Sequence, residues 1–428
     1  MSENIKILII TYYWPPSGGA GVQRWLKFSK YLPEFNIQPY IITVDPIYAR
    51  FPAYDSSLIA DINPKVRVYT TKARNYFKAL FWKKEGTVKK NSVSAKSTYT
   101  KSKIVRFIRG NLFIPDPRKG WNGFAFRKAV ELIEEHDIDL IITSGPPHSS
   151  HLIGRRLKRK YNKIKWIADF RDPWTDIYYY NDFYSLSLSR KKDKKYESSV
   201  LAEADKIMTV GEGMKELLES KLDPGVSKIF VLPNGFDEED FRNNRIKDKK
   251  GPFTITYSGS ISERYPLESF LKAISGYIIN NPGQKLSLRF VGQLSEGLIE
   301  QIKNYKLYNI SNFVDYSSHI ETINLIKVSD MLLLIIPEHK HSNVIITGKI
   351  FEYLRSGNII LGIGPTEGDA AKILTDTGAG KMFDPGNIEG IREYISENVH
   401  KDENVVVKGL NKFERKNLTS TLVKLLDL

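Results

Sequence analysis

Lys349 and Glu352 stand three residues apart at the start of a helical pattern that opens with Thr347-Gly348 and closes at Ser356-Gly357. That spacing puts both on one side of a helix, while Ile350, Phe351 and Leu354 fall on the side that belongs to a core. A helix start carries unpaired amides and partial positive charge, here from Thr347 and Gly348, and Lys349 adds a full charge. The combination suits an anion such as a diphosphate, with Glu352 one turn on to accept from hydroxyl groups. Thr347 is expected to cap the helix through its side chain, and Gly357 to end it in the left-handed conformation. An ordinary surface Lys–Glu pair has the same pattern, so the elements around it must decide.

Other polar loops carry residue types that do chemistry. Gly18-Gly19-Ala20-Gly21 follows the apolar run Ile5–Ile10 and precedes a helical pattern beginning at Val22. Ser144-Gly145-Pro146-Pro147-His148 follows an apolar run at 138–143, and His148 is a candidate base. Asp169, Arg171 and Asp172 follow another at 165–168 and could fix hydroxyls or phosphate, although loop histidines and aspartates also serve as turn formers. His339 and His341 lack a third ligand at suitable spacing, so no metal is expected.

These loops need a frame, and the chain supplies a repeating one. Strand, glycine-rich turn and helix in that order begin a doubly wound α/β domain, whose ligands gather at the carboxyl ends of the strands. After the polar, aperiodic 237–250 stretch the alternation restarts with strands at 253–257, 286–291, 312–314, 331–336 and 358–363. A length of 428 residues calls for two such domains. The dinucleotide fingerprint is not met, because Arg24 stands where its third glycine belongs, and the phosphate-loop motif is also missing. With 64 Lys and Arg against 49 Asp and Glu, the net charge is +15, which implies an anionic partner. The basic residues of the 72–109 stretch alternate with aromatics such as Tyr76, Phe81 and Trp82, a mixture suited to an anionic membrane surface. A solvated lysine-rich insertion is the plain alternative. Nucleic acid is the poorer expectation, since the basic residues cluster in that one insertion and no recognition motif is present. Cysteine is absent, which fits a reducing cytosol, and no apolar run has the length of a signal peptide or a membrane span.

The residues now support a family resemblance. Ala204-Asp205-Lys206-Ile207-Met208-Thr209-Val210, then a helix, then Ile229-Phe230-Val231-Leu232-Pro233-Asn234-Gly235-Phe236-Asp237, resembles the segment that closes the first domain of GT-B glycosyltransferases. The match is most similar to the retaining enzymes of glycosyltransferase family 4, and it extends to Tyr13-Trp14-Pro15-Pro16, Gly18-Gly19, Tyr257-Ser258-Gly259 and Lys349-Ile350-Phe351-Glu352-Tyr353-Leu354. The resemblance implies two Rossmann-like domains facing a cleft: 1–237, a linker at 238–250, 251–410, and a C-terminal helix at 411–428 that crosses back to the first domain. It implies a nucleoside diphosphate sugar on the second domain and a glycan or lipid-linked acceptor on the first, in surface polysaccharide synthesis on the cytoplasmic side of a membrane. Glu352 matches the glutamate that holds the ribose and Arg264 a basic residue on the pyrophosphate, and Gly19 and Gly259, the glycines of the two opening loops, join Thr347, Gly348 and Lys349 as donor-binding candidates. His148 and Asp172 are the catalytic candidates, Asp169 and Arg171 the acceptor-side ones. No metal cofactor is implied. Three positions depart from the family: the first of its paired glutamates is Val344, the arginine after the opening glycine of domain two is Ser260, and its histidine after the fourth strand is Ser144. A sugar-nucleotide 2-epimerase and an inactive binding protein of the same fold are the alternatives.

Overall fold

The computed structural model describes residues 5–74, 103–177, 179–242, 251–399, 401 and 405–426. Most of the basic 72–109 stretch and residues 243–250 of the expected linker lie outside the described residues. The chain forms two compact units, Met1–Pro233 with Leu418–Leu428, and Asn234–Asn417.

In the first unit β1 (Ile5–Ile10), β2 (Ile37–Val44), β3 (Arg67–Thr71), β4 (Leu140–Gly145), β5 (Lys165–Phe170), β6 (Lys206–Thr209) and β7 (Ile229–Val231) make a parallel sheet. Its order is β3-β2-β1-β4-β5-β6-β7. Central strands of such a sheet are covered on both faces, and Ile7, Leu8, Ile9 and Ile10 are accordingly all buried. The helix Arg415–Leu425 is near the chain's end but packs here. Leu418, Leu422 and Leu426, spaced four apart on one helix face, enter the cluster of Trp25, Leu26, Phe28 and Met208. Lys206 Nζ donates to the Leu425 carbonyl at 2.8 Å.

In the second unit β8 (Phe253–Ser258), β9 (Leu286–Val291), β10 (Ser311–Val314), β11 (Met331–Ile335), β12 (Ile359–Ile363) and β13 (Gly380–Phe383) make another parallel sheet, ordered β10-β9-β8-β11-β12-β13. Both units are the doubly wound α/β domains that the alternation predicts. The boundary, however, differs from the expected one. Residues 234–242 belong to the second unit, where Phe236 and Phe241 are buried and Glu238 makes a two-pronged ion pair with Arg355, both bonds at 2.5 Å. The asparagine-glycine turn at Asn234-Gly235 reads as the end of the first domain because the strand before it ends there, yet the residues after it already pack on the second core.

The strand order reverses between β1 and β4 in one unit and between β8 and β11 in the other. Crossover helices diverge on either side of such a point and leave a crevice outside the strands' carboxyl ends. The loops that start there hold Gly19 and His148 in the first unit, and Gly259 and Arg264 in the second; the loop after β11 leads to Thr347.

Candidate functional site

In the second unit the helix Lys349–Ser356 lies with Ile350, Phe351, Tyr353 and Leu354 buried. Tyr353 fixes it to the sheet. Its hydroxyl accepts from the Ser258 amide at 2.9 Å and lies 3.1 Å from Ser258 Oγ, at the last residue of β8. Gly357, with φ 75°, ends the helix in the left-handed conformation as expected. The start differs: Gly348 is the N-cap, already helical, and no side chain caps it. Thr347 instead offers its carbonyl to the Ile350 amide at 3.2 Å, while its hydroxyl is buried without a partner. The capping prediction fails because the N-cap position falls on Gly348, which has no side chain to offer, and Thr347 stands one residue before it.

Lys349 is the centre of this end of the unit. Its ammonium lies 3.9 Å from the centre of the Tyr257 ring, a cation–π contact. Desolvation pulls its pKa down to about 7, and the Glu352 carboxylate opposes that pull. Gly259 makes the space. A Cβ there would stand 2.9 Å from Lys349 Nζ, and its φ of +111° is one that side chains other than glycine's rarely adopt. Gly259→Ala is therefore expected to cost about 1–3 kcal/mol of stability in denaturant unfolding and to weaken anion binding together with it.

Glu352 is partly exposed on the same helix. His319 Nδ1 lies 3.8 Å from its Oε1, and His319 Nε2 lies 3.1 Å from Asp240 Oδ2. The imidazole thus stands between the two carboxylates, a relation that no local pattern in the sequence shows. Arg264 is exposed in the loop after β8, and its carbonyl accepts from Glu338 at 3.2 Å, which draws that loop to the one after β11. Val344 is 6% exposed, so the position of the family's other glutamate holds a buried apolar side chain. Ser260 is exposed, and its carbonyl accepts from the Tyr257 hydroxyl at 3.2 Å.

In the first unit two expected site residues turn out to hold the architecture. Asp169 is 0% exposed, in β5 itself. Its carboxylate accepts from Arg24 Nε at 3.1 Å, Trp25 Nε1 at 2.8 Å and Ser144 Oγ at 2.9 Å. It anchors the first helix, Ala20–Tyr31, to the sheet, so its oxygens do not face an acceptor. Ser144, the position of the family's histidine, is buried by the same network. Arg171 donates to the carbonyls of Gly145, Gly21 and Pro146 at 3.1, 2.6 and 2.8 Å and so ties together the loops after β1, β4 and β5. It positions the loops, and its guanidinium is occupied by backbone rather than phosphate. Gly19 remains exposed as the N-cap of the first helix.

His148 and Asp172 stand where a ligand could reach them. Asp172 is exposed at the end of β5, and its carboxyl is nonetheless pulled above the ordinary range by partial desolvation, with the Arg171 cation pulling the other way. His148 is 9% exposed and stacked on Trp174 with ring centres 5.0 Å apart, its ring close to the Pro173 carbonyl. Burial, with His151 and Arg171 nearby, drives its pKa well below the usual value, so the ring is neutral and a weak base near pH 7. It is better suited to accept or donate a hydrogen bond than to remove a proton.

His148 and Trp174 line a pocket of ≈ 160 Å³ with Tyr13, Arg109, Arg118 and Asp193. Asp193 accepts from Trp174 Nε1 at 2.8 Å and from the Tyr180 hydroxyl at 2.9 Å, and burial pushes its carboxyl up to about 6. The His148 and Trp174 rings face each other and Trp174 is 2% exposed, so a ligand in this pocket would meet the half-buried Tyr13 and the polar edge groups instead of an open indole face. The sequence reading missed this pocket because its residues come from five separate segments. The one local signal is Trp174, an aromatic just after a strand's carboxyl end.

Comparison with known proteins places these units. Residues 65–240 match the family model described as Glycosyltransferase Family 4. Glycogen synthase of Mycobacterium tuberculosis is 24% identical over 143 residues, which are 33% of this chain and 34% of that protein. The match thus spans about a third of the length of that curated relative. Among solved structures, the sucrose-phosphate synthase from Thermosynechococcus elongatus superposes with a TM-score of 0.64 at 12% identity, over 99% of this chain and 98% of that one. The catalytic domain of starch synthase IV from Arabidopsis thaliana, bound to ADP and acarbose, gives 0.62 at 11% identity, over 100% and 99%. The chain has the GT-B fold of these glycosyltransferases over its whole length and resembles glycosyltransferase family 4 in sequence over residues 65–240.

Proposed function

We propose that this chain is a glycosyltransferase that moves a sugar from a nucleoside diphosphate sugar to a glycan or lipid-linked saccharide. One observation carries the reading. At the carboxyl end of the second sheet an ammonium, a bare glycine backbone and a helix start converge, with a carboxylate one turn on: Lys349, Gly259, Gly348 and Glu352. The cation and the helix start suit a diphosphate, and Glu352 suits the ribose hydroxyls. The starch synthase likeness supports a nucleoside diphosphate as the ligand class, since that protein holds ADP. Arg264, exposed in the adjoining loop, is a second cation for the diphosphate.

In such a transfer the bond from the sugar C1 to the phosphate oxygen breaks, a bond from C1 to the acceptor oxygen forms, and the acceptor's proton leaves to a base or to the departing diphosphate. Negative charge grows on the diphosphate, and Lys349 with the helix amides would stabilise it without a metal ion. In the first unit neutral His148 orients an acceptor hydroxyl, and Asp172 is the better placed of the two candidates to receive a proton. Retention of anomeric configuration and a role in surface polysaccharide synthesis, on the cytoplasmic side of a membrane, are part of this proposal, supported by the family resemblance.

A thermal-shift screen across UDP, GDP, ADP and their sugars tests the donor seat. One nucleoside diphosphate is expected to raise the melting temperature, by the equivalent of about 2.7 kcal/mol at a hundred times its dissociation constant. Glu352→Ala should lose most of that shift. An equal shift in Glu352→Ala would remove the ribose assignment, and no shift with any nucleotide would leave a binding protein of the same fold. Release of free nucleoside diphosphate with no acceptor present would turn the reading to a sugar-nucleotide 2-epimerase.

A further inference from the structure

We propose that one face of the first unit, formed by the helix Lys103–Leu112, residues 184–188 and the start of the helix Ser187–Glu203, docks on an anionic lipid bilayer. The two segments form one surface. Asn111 Nδ2 donates to the Tyr184 carbonyl at 3.3 Å, Asn111 Oδ1 accepts from the Leu186 amide at 2.8 Å, and Ser185 Oγ donates to the Gly110 carbonyl at 3.2 Å. Arg109 lies 4.2 Å from the centre of the Phe183 ring, and a Cβ on Gly110 would meet the Phe183 carbonyl at 2.5 Å, so the backbones are in close contact.

This surface exposes large apolar side chains from both segments: Phe107 and Leu112 from the helix, Tyr184, Leu186 and Leu188 beside it, with Leu188 79% and Leu112 59% exposed. Apolar residues scattered singly over a surface need no explanation, but several held on one tied patch do. Arg190, Lys191, Lys192, Lys194 and Lys195 follow at once and are all exposed. Asp193, the acid among them, is buried on Trp174 and Tyr180 and does not offset them at the surface. Lys119 joins the same edge, its Nζ donating to the Leu112 carbonyl at 2.6 Å, and burial together with the Lys192 charge keeps its pKa below the usual value.

Cations that repel one another beside exposed leucines fit a partner that is both anionic and apolar. An acidic bilayer is such a partner: leucines enter the headgroup boundary, and each near-surface Lys or Arg adds about 1 kcal/mol. A single-stranded nucleic acid would use the cations and could stack on Phe107 and Tyr184, but it has no use for Leu112, Leu186 and Leu188, the more exposed part of the patch. Gly110, Phe183, Ser185 and Asp193 belong to this face or its underside and also line the pocket that holds His148. A docked face therefore puts that pocket beside the lipid surface. Resting on the transferase reading above, this specifies the acceptor as a saccharide carried on a lipid anchor.

The test is vesicle flotation of the full chain with phosphatidylcholine alone and with phosphatidylcholine containing phosphatidylglycerol. The wild type is expected to float with the acidic vesicles and not with the neutral ones. Leu186→Glu with Leu188→Glu, and separately Lys191→Glu with Lys194→Glu and Lys195→Glu, should each lower the bound fraction ten-fold or more. These exposed substitutions should leave the melting temperature and the nucleotide-induced shift unchanged, which makes a loss of binding a property of the face. Wild-type protein that floats with neither vesicle, or variants that float as well as the wild type, would overturn the proposal. Steep salt-dependent RNA binding lost in the lysine variants, without flotation, would also overturn it in favour of nucleic acid. A wild type that floats but shows no nucleotide-induced shift would leave the docking face standing and remove the transferase reading instead.

Discussion

Asp169→Ala is expected to destabilise the first unit by about 3–5 kcal/mol, because it leaves the Arg24 guanidinium buried and without its counter-charge. Arg24 is 1% exposed and Asp169 0% exposed, so water cannot replace the lost carboxylate. Arg24 Nη1 would keep its bond to the Leu232 carbonyl at 2.9 Å, but a carbonyl dipole does not neutralise a cation. Trp25 Nε1 and Ser144 Oγ would lose their acceptor in the same step. Urea unfolding followed by tryptophan fluorescence reads the change. Replacing both partners, Arg24→Met with Asp169→Leu, should recover much of the loss, since the cost comes from the unpaired charge and not from the missing bridge. An aspartate that served mainly to bind an acceptor would give the opposite result: an Asp169→Ala protein about as stable as the wild type, with a raised KM for acceptor.

Asp169 also shows what the sequence could and could not convey. An aspartate at the end of an apolar strand, followed by Arg171 and Asp172, has the look of a ligand loop, and its position at the strands' carboxyl ends was legible. Its partner was not, because Arg24 lies 145 residues away and only the tertiary fold brings the first helix onto β5. Ser144 sits directly opposite it in the sheet register, a relation that needs the strand pairing before it can be seen. The central strands were readable because burial on both faces leaves unbroken apolar runs. Two of the edge strands were not: β3 mixes exposed and half-buried residues, and β13 begins with Gly380-Lys381, whereas the edge strand β10 lies where the 312–314 run was expected. In the second unit Lys349, Glu352 and Gly357 were legible from helix spacing. The role of Tyr353 has no local sign beside its apolar neighbours, because its hydroxyl fastens the helix to β8, 95 residues away in sequence.

Lys349→Met should weaken nucleoside diphosphate binding roughly ten- to hundred-fold at pH 6.5, the range for removing a charge-assisted hydrogen bond. The pH dependence is the sharper signature. An unfolded lysine keeps its proton up to about 10.4, whereas in the folded chain the proton leaves near pH 7, because the ammonium is desolvated against Tyr257 and Gly259. Between those values the unfolded chain binds one more proton than the folded one, so the Lys349 contribution to stability rises with pH and levels off once both forms are deprotonated. Donor affinity runs the other way. A diphosphate favours the protonated form, so affinity should fall as pH rises through 7, and binding at pH 8 should take up a proton. Calorimetric titration in two buffers of different ionisation heat measures that uptake directly. Lys349→Met should abolish both slopes, becoming relatively more stable below pH 7 while binding nucleotide weakly at every pH. Binding in the methionine variant within two-fold of wild type, with the same proton uptake, would show that the ammonium does not face the diphosphate.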